Sequence, residues 1–139
     1  MERRDCRTAV RDTCLVAEAD GATIFASITE NVAVFDMFGP LRSDGKALVR
    51  ERTTSWFDLY VATPRWDDRD VAVAASGDVA FAQSLSHVTG ERKGGVDFDM
   101  WFRTTLRLRG IDGDWRIVHE HQSEPFDIES GKASLDLKP

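Results

Sequence analysis

The stretch DFDMWFRTTLRLRGIDGDWRIVHEHQS, residues 97–123, decides the fold. In its first half Phe98, Met100, Phe102, Leu106 and Leu108 take even positions, while Asp99, Trp101, Arg103, Arg107 and Arg109 take odd ones. Side chains alternate across a strand, so a period of two over this length predicts a strand with one core face. Asp112 and Gly113 then supply the positive φ angles of a tight hairpin turn, and residues 114–123 return as a second strand. The return strand is mixed. Trp115, Ile117, His119, His121 and Ser123 share one parity and Arg116, Val118, Glu120 and Gln122 the other, a pattern that fits burial on both faces and leaves open which side meets the core.

Upstream, residues 70–76 and 79–89 flank Gly77 and Asp78 in the same manner, and Gly90, Gly94 and Gly95 mark the link between the two pairs. Before them, VAVFDMF at 32–38 is β-branched and aromatic and is closed by Gly39 and Pro40, so it reads as a strand. Three helices are expected: an amphipathic one over 3–18, a short one after Asp20 carrying Ile24, Phe25 and Ile28, and a third over 44–61. The third would present Leu48, Trp56, Leu59 and Tyr60, with Ser43 or Asp44 as its cap and Pro64 as its stop. Helices followed by a meander predict an α+β domain in which the N-terminal helices close over a curved antiparallel sheet and leave a pocket. The length of 139 residues suits one domain, 1–139, with 124–139 as a tail over the surface or a partner.

A net charge of −6 argues against nucleic acid as a partner, because that binding begins with concentrated positive charge. No apolar run is long enough for a membrane span and none follows the charged start, so a cytoplasmic protein is expected. Cys6 and Cys14 would stand roughly 12 Å apart along one helix, too far for a disulfide, and read as buried thiols of a reducing compartment.

Parity identifies the candidate site residues. Asp36 shares a face with Val32, Val34 and Phe38, where burial would raise its pKa and suit it to accept a proton; the alternative is that it bonds the backbone of the following turn. Trp101 and Arg103 form either a pocket wall with an anion site or a structural ion pair. His119 and His121 share a side, a spacing able to relay a proton or hold a metal; no third ligand is marked, His87 being only a candidate, so structural histidines and no metal are expected. Glu120 is a second possible acid or base, or a partner of Arg103 or Arg107. Trp56 would shape the pocket wall, and nothing in the chain demands a cofactor.

VAVFDMFGPL at 32–41, DVAFAQSLSHV at 78–88 and WFRTTLRLRGIDGDWRIVHEHQSEPFD at 101–127 together resemble the SnoaL-like, ketosteroid isomerase-like branch of the nuclear transport factor 2-like superfamily. The resemblance implies a cone-shaped sheet of the cystatin-like type wrapped around a helix, a pocket at its wide end, and a homodimer formed through the outer sheet face. It implies isomerase- or cyclase-like proton transfer on an apolar, enolisable substrate. Asp36 falls at the place of the general base of ketosteroid isomerases, with Glu120 and His121 assisting and Trp56, Trp101, Arg103, His119 and His87 around the substrate. The tyrosine that those enzymes carry on a helix has no counterpart in the first helix here. The C-terminal segment also resembles the calcium/calmodulin-dependent protein kinase association domain at Trp115, His119, His121 and Ser123, which implies a non-catalytic ligand-binding or oligomerisation module as the alternative. The expected ligand is a small hydrophobic or carboxylate-bearing molecule.

Overall fold

The computed structural model describes Cys6 and residues 22–139. The helix expected over 3–18, with Cys14 and the Asp20 cap, lies outside the described residues except for Cys6, which is helical and buried. The elements are α1 (Ala22–Ser27), β1 (Ile28–Phe35), β2 (Ser43–Asp44), α2 (Lys46–Phe57), β3 (Arg65–Ser76), β4 (Val79–Arg92), β5 (Val96–Ile111) and β6 (Asp114–Ser123). The strands form one curved sheet in the order β2-β1-β6-β5-β4-β3. Every pairing is antiparallel except that of β1 with β6, which is parallel and brings the first strand beside the last.

The hairpin of β5 and β6 turns at Asp112 (φ 51°) and Gly113 (φ 86°), the two positive angles that its sequence invites. The third helix is shorter than its periodicity suggests, for a reason at each end. Ser43 and Asp44 do not cap it, because they pair with Val34 and Ala33 as an edge strand and leave Gly45 (φ 94°) to open the helix. Past Phe57, the Leu59 carbonyl accepts from Lys93 N–H and Val61 N–H donates to Glu91, so these residues join the end of β4 instead of continuing the helix.

The inner face of the sheet carries two apolar clusters. At one end Ile28, Val32 and Val34 of β1 pack with Ala80, Ala82, Leu106, Leu108, Trp115 and Ile117. At the other, Val88, Met100 and Phe102 are joined by the partly buried Met37, Trp56, Trp66 and Phe98. Between them runs a buried polar row, Ser86 (0% exposed), Thr104 (7%) and Gln122 (9%), from three adjacent strands. α2 has no buried residue, although it lies against β1. It roofs a hollow, with Val49 set against the first cluster and Trp56 against the second.

Candidate active site

The hollow under α2 has a volume of about 390 Å³, within the range of small-molecule sites. Its walls are mainly aromatic and aliphatic. Trp56 meets Trp66 and Tyr60 edge to face, at ring separations of 6.3 and 5.1 Å, and Trp66 meets Phe102 at 5.2 Å. The polar groups on the lining include two carboxyls, Asp36 and Glu120, two guanidiniums, Arg52 and Arg92, and the Gln122 amide.

Asp36 lies one residue beyond β1 and lines the hollow, as its parity with Val32 and Val34 requires. Its carboxyl combines a bond to the following turn with partial burial. Its Oδ1 accepts the Phe38 amide N–H at 3.2 Å, closing the turn, while burial raises its pKa above the ordinary 3.8 against the pull of that amide, the Arg52 charge and the Met37 amide. Arg52 reaches from α2 to donate through Nη2 to the Phe38 carbonyl at 2.9 Å. Gly39 makes this possible: its φ is 73°, and a Cβ there would lie 2.6 Å from Arg52 Nη2.

Glu120 meets the same hollow from β6, opposite Val34 of β1 and Leu106 of β5. It retains contact with the hollow but is shielded from bulk water, and burial, then the nearby Asp36 charge, push its pKa from 4.5 up to about 7, with Asp68 adding to the rise. The Gln122 amide opposes this by donating to Oε1 at 2.5 Å. A bulge resolves the mixed parity of this strand. Leu108 pairs with Ile117 but Arg107 pairs with His119, so Val118 is an extra residue and the strand changes its inward parity there. Trp115 and Ile117 face the core before it; Glu120 and Gln122 reach the hollow after it.

The same bulge corrects the expected position of the histidines. None of His87, Trp101, Arg103, His119 and His121 lines the hollow. They lie on the other face of the sheet. His119 Nδ1, facing a carbonyl, donates to Ala33 O at 2.7 Å and its ring meets Phe35 edge-on. His121 also meets Phe35, at 5.6 Å. His87 stacks flat on Trp101 at 4.3 Å with Nε2 2.7 Å from Asp99 Oδ1. Arg103 is exposed, and its positive charge opposes the rise that burial imposes on Glu124. Neither Arg103 nor Arg107 forms an ion pair with Glu120, since strand alternation turns them away from it. Among the described residues no group of three or more His, Cys, Asp or Glu side chains gathers as a metal site.

Sequence reasoning missed Arg52, Arg92, Tyr60 and Gln122, which come to the hollow from α2, the end of β4, the turn after α2 and β6. Burial raises the Tyr60 phenol pKa against the pull of the Arg92 charge and of a bond to Trp56. A signal for the polar row was available. Ser86 interrupts the inward row Ala80, Ala82, Val88, and Thr104 interrupts Met100, Phe102, Leu106, Leu108.

The model of the SnoaL-like domain family matches residues 11–127. No curated protein matches the chain significantly. Among solved structures, a nuclear transport factor 2-like protein of unknown function from Pseudomonas putida KT2440 is similar over 96% of this chain and 93% of its own, at 27% identity and a TM-score of 0.85. A ketosteroid isomerase-like protein from Erwinia carotovora atroseptica SCRI1043 covers 84% of this chain and 91% of its own at 22% identity and a TM-score of 0.72. A protein of unknown function with a cystatin-like fold from Nostoc punctiforme PCC 73102 covers 88% and 93% at 16% identity and a TM-score of 0.70. Among the described residues no helix is long and apolar enough to cross a membrane. Matched by the family model over most of its length and built on the same mixed, curved sheet, the chain belongs to the SnoaL-like domain family of the nuclear transport factor 2-like superfamily.

Proposed function

We propose that the hollow binds a small, largely apolar carbonyl compound and moves a proton within it. The observation that carries this reading is a pair of carboxyl groups, Asp36 and Glu120, both with raised pKa values, lining one mainly apolar cavity. Two acids whose environments set their pKa values apart can divide the roles of base and acid between them. The Asp36 carboxylate would take a proton from the carbon next to the carbonyl. The C–H electron pair then forms the enolate, whose oxygen accepts a hydrogen bond from neutral Glu120. Return of the Asp36 proton to another carbon completes an isomerisation, and no external oxidant or reductant is needed.

The Asp36 charge adds to the rise in the Glu120 pKa, so the proposed active form holds its one proton on Glu120. Activity should therefore rise as the pH passes the raised pKa of Asp36 and fall as it passes about 7, where Glu120 loses its proton. The test begins with a thermal-shift screen of enolisable carbonyl compounds, since a ligand of the folded state alone raises its apparent stability. For a compound so found, Asp36→Asn should lower turnover about 10²-fold or more while binding persists. Unchanged turnover in that variant would remove the proton-transfer reading.

A second reading, a ligand-binding module without turnover, has one observation in its favour: the Phe38 amide already occupies Asp36 Oδ1. It expects the same compounds to bind and none to be altered.

A further inference from the structure

Two guanidiniums reach the hollow, and they are differently employed. Arg52 is committed beside the carboxyls, where it donates to the Phe38 carbonyl and its charge pulls the Asp36 pKa down. Arg92, at the end of β4, pairs with no carboxylate among the described residues. It is exposed, so its charge stands in water at the mouth. Tyr60 is its neighbour: the two residues form an isolated bridge, and Tyr60, only 4% exposed, lines the hollow as well. The indole N–H of Trp56 can only donate, so the phenol oxygen accepts in their bond and keeps its own proton to give.

The strand ladder puts Arg92 and Tyr60 at the opposite end of the hollow from the carboxyls. Glu120 pairs with Leu106 of β5, whereas Arg92 pairs with Val96, ten positions earlier on that strand. β5 also lies between β6 and β4, so two strand spacings alone set the backbones of Glu120 and Arg92 about 10 Å apart. Between them Phe98, Met100 and Phe102 of β5 line the hollow, and the Phe98 ring stands 6.1 Å from that of Tyr60. An apolar run therefore separates an acidic pole from a cationic one.

We infer that the hollow takes an oxo acid, an apolar skeleton with its carbonyl at Asp36 and Glu120 and a carboxylate about 10 Å away on Arg92 and Tyr60. One planar guanidinium and one phenol proton suit the single charge and two oxygens of a carboxylate, whereas a phosphate dianion would keep one charge unmatched. Water at the mouth spares the carboxylate full desolvation, and the neutral carbonyl goes to the end where Glu120 is shielded, so no ligand charge is buried. The inference rests on the carbonyl reading for the acidic pole, yet the preference for an anion is measured by binding alone.

The experiment is calorimetric titration of the full chain at about pH 6, where the probe carboxylates are charged. The probes are 6-acetyl-2-naphthoate and its neutral methyl ester, and the shorter 4-acetylbenzoate with its methyl ester. The long acid is expected to bind about tenfold more tightly than its ester, and the short pair, unable to span the two poles, about equally. Arg92→Met should erase the advantage of the long acid and leave its ester unchanged, while Arg92→Lys, which keeps the charge without the fork, should retain part of it. A measurement that needs no variant is salt: raising it should weaken the long acid and spare the ester. Equal binding of the long acid and its ester overturns the inference, as does an advantage that survives Arg92→Met, and in either case the hollow remains a small-molecule site. Binding of neither probe overturns the inference together with the small-molecule reading. Solvent deuterium entering the acetyl methyl group, and failing to do so in Asp36→Asn, reports on proton transfer separately; no exchange alongside the tenfold preference removes that chemistry and upholds the carboxylate site.

Discussion

The two ends of the sheet's inner face are built from the same kinds of residue and do different work. At one end Leu106, Leu108, Ile117 and Val32 interlock with Ala80 and Ala82, whose small side chains admit close packing. At the other, the larger Trp56, Trp66, Phe98 and Met37 surround a hollow that they do not fill. Bulk is thus greatest where packing is least complete, because large rings standing edge to face can hold one another apart. The buried polar row divides the densely packed region from the region that encloses the hollow.

The sharpest way to break this comparison is to truncate one side chain at each end. Leu108→Ala should cost about 4 kcal/mol in urea unfolding, by lost transfer energy and the cavity left behind. Phe98→Ala, partly exposed and beside an existing hollow, should cost about 1 kcal/mol. Equal losses would mean that the hollow is closed in solution.

The next effect is a pH dependence. Glu120 has an ordinary pKa of 4.5 and a folded value of about 7, so between these limits the native state holds a proton that the unfolded chain has released. Stability is then full below pH 4.5 and falls as pH rises to about 7, by on the order of 3 kcal/mol for this group. Glu120→Gln should flatten that part of the stability curve measured by urea unfolding from pH 4 to 8. A wild-type curve without the slope would return the group to water.

Smaller still is the effect at the rim of the hollow. An added Cβ on Gly90 would meet the Tyr60 ring at 2.9 Å and Pro64 Cβ at 3.2 Å. Gly90→Ala should cost about 1–2 kcal/mol and shift the Tyr60 ring signals in NMR. Least of all, Asp99→Asn on the outer face should change stability by under about 0.5 kcal/mol and leave binding in the hollow untouched, because its pair with His87 is solvated.

Much of this architecture was legible locally. The β5 alternation and the Asp112–Gly113 turn need only neighbours within one hairpin, and Asp36 was found by the parity of a short strand. What escaped was set by distant partners. The parallel seat of β1 beside β6 joins Val34 to Glu120 and has no local trace. Likewise, α2 ends early because residues near Leu59 bond the end of β4. Trp101, Arg103 and His87 have the chemistry of a binding wall, but residue type does not reveal which face of a strand is covered. β6 resisted reading because both of its parities point inward, each for half of its length.

That arrangement gives Val118 an uncommon freedom. Losing a residue of β6 well away from the bulge would turn the strand beyond it to the opposite side. Losing Val118 alone would straighten the ladder while Ile117 and Glu120 kept their present orientations. One residue can therefore be lost at this point without the packed half and the hollow half of the sheet losing their alignment.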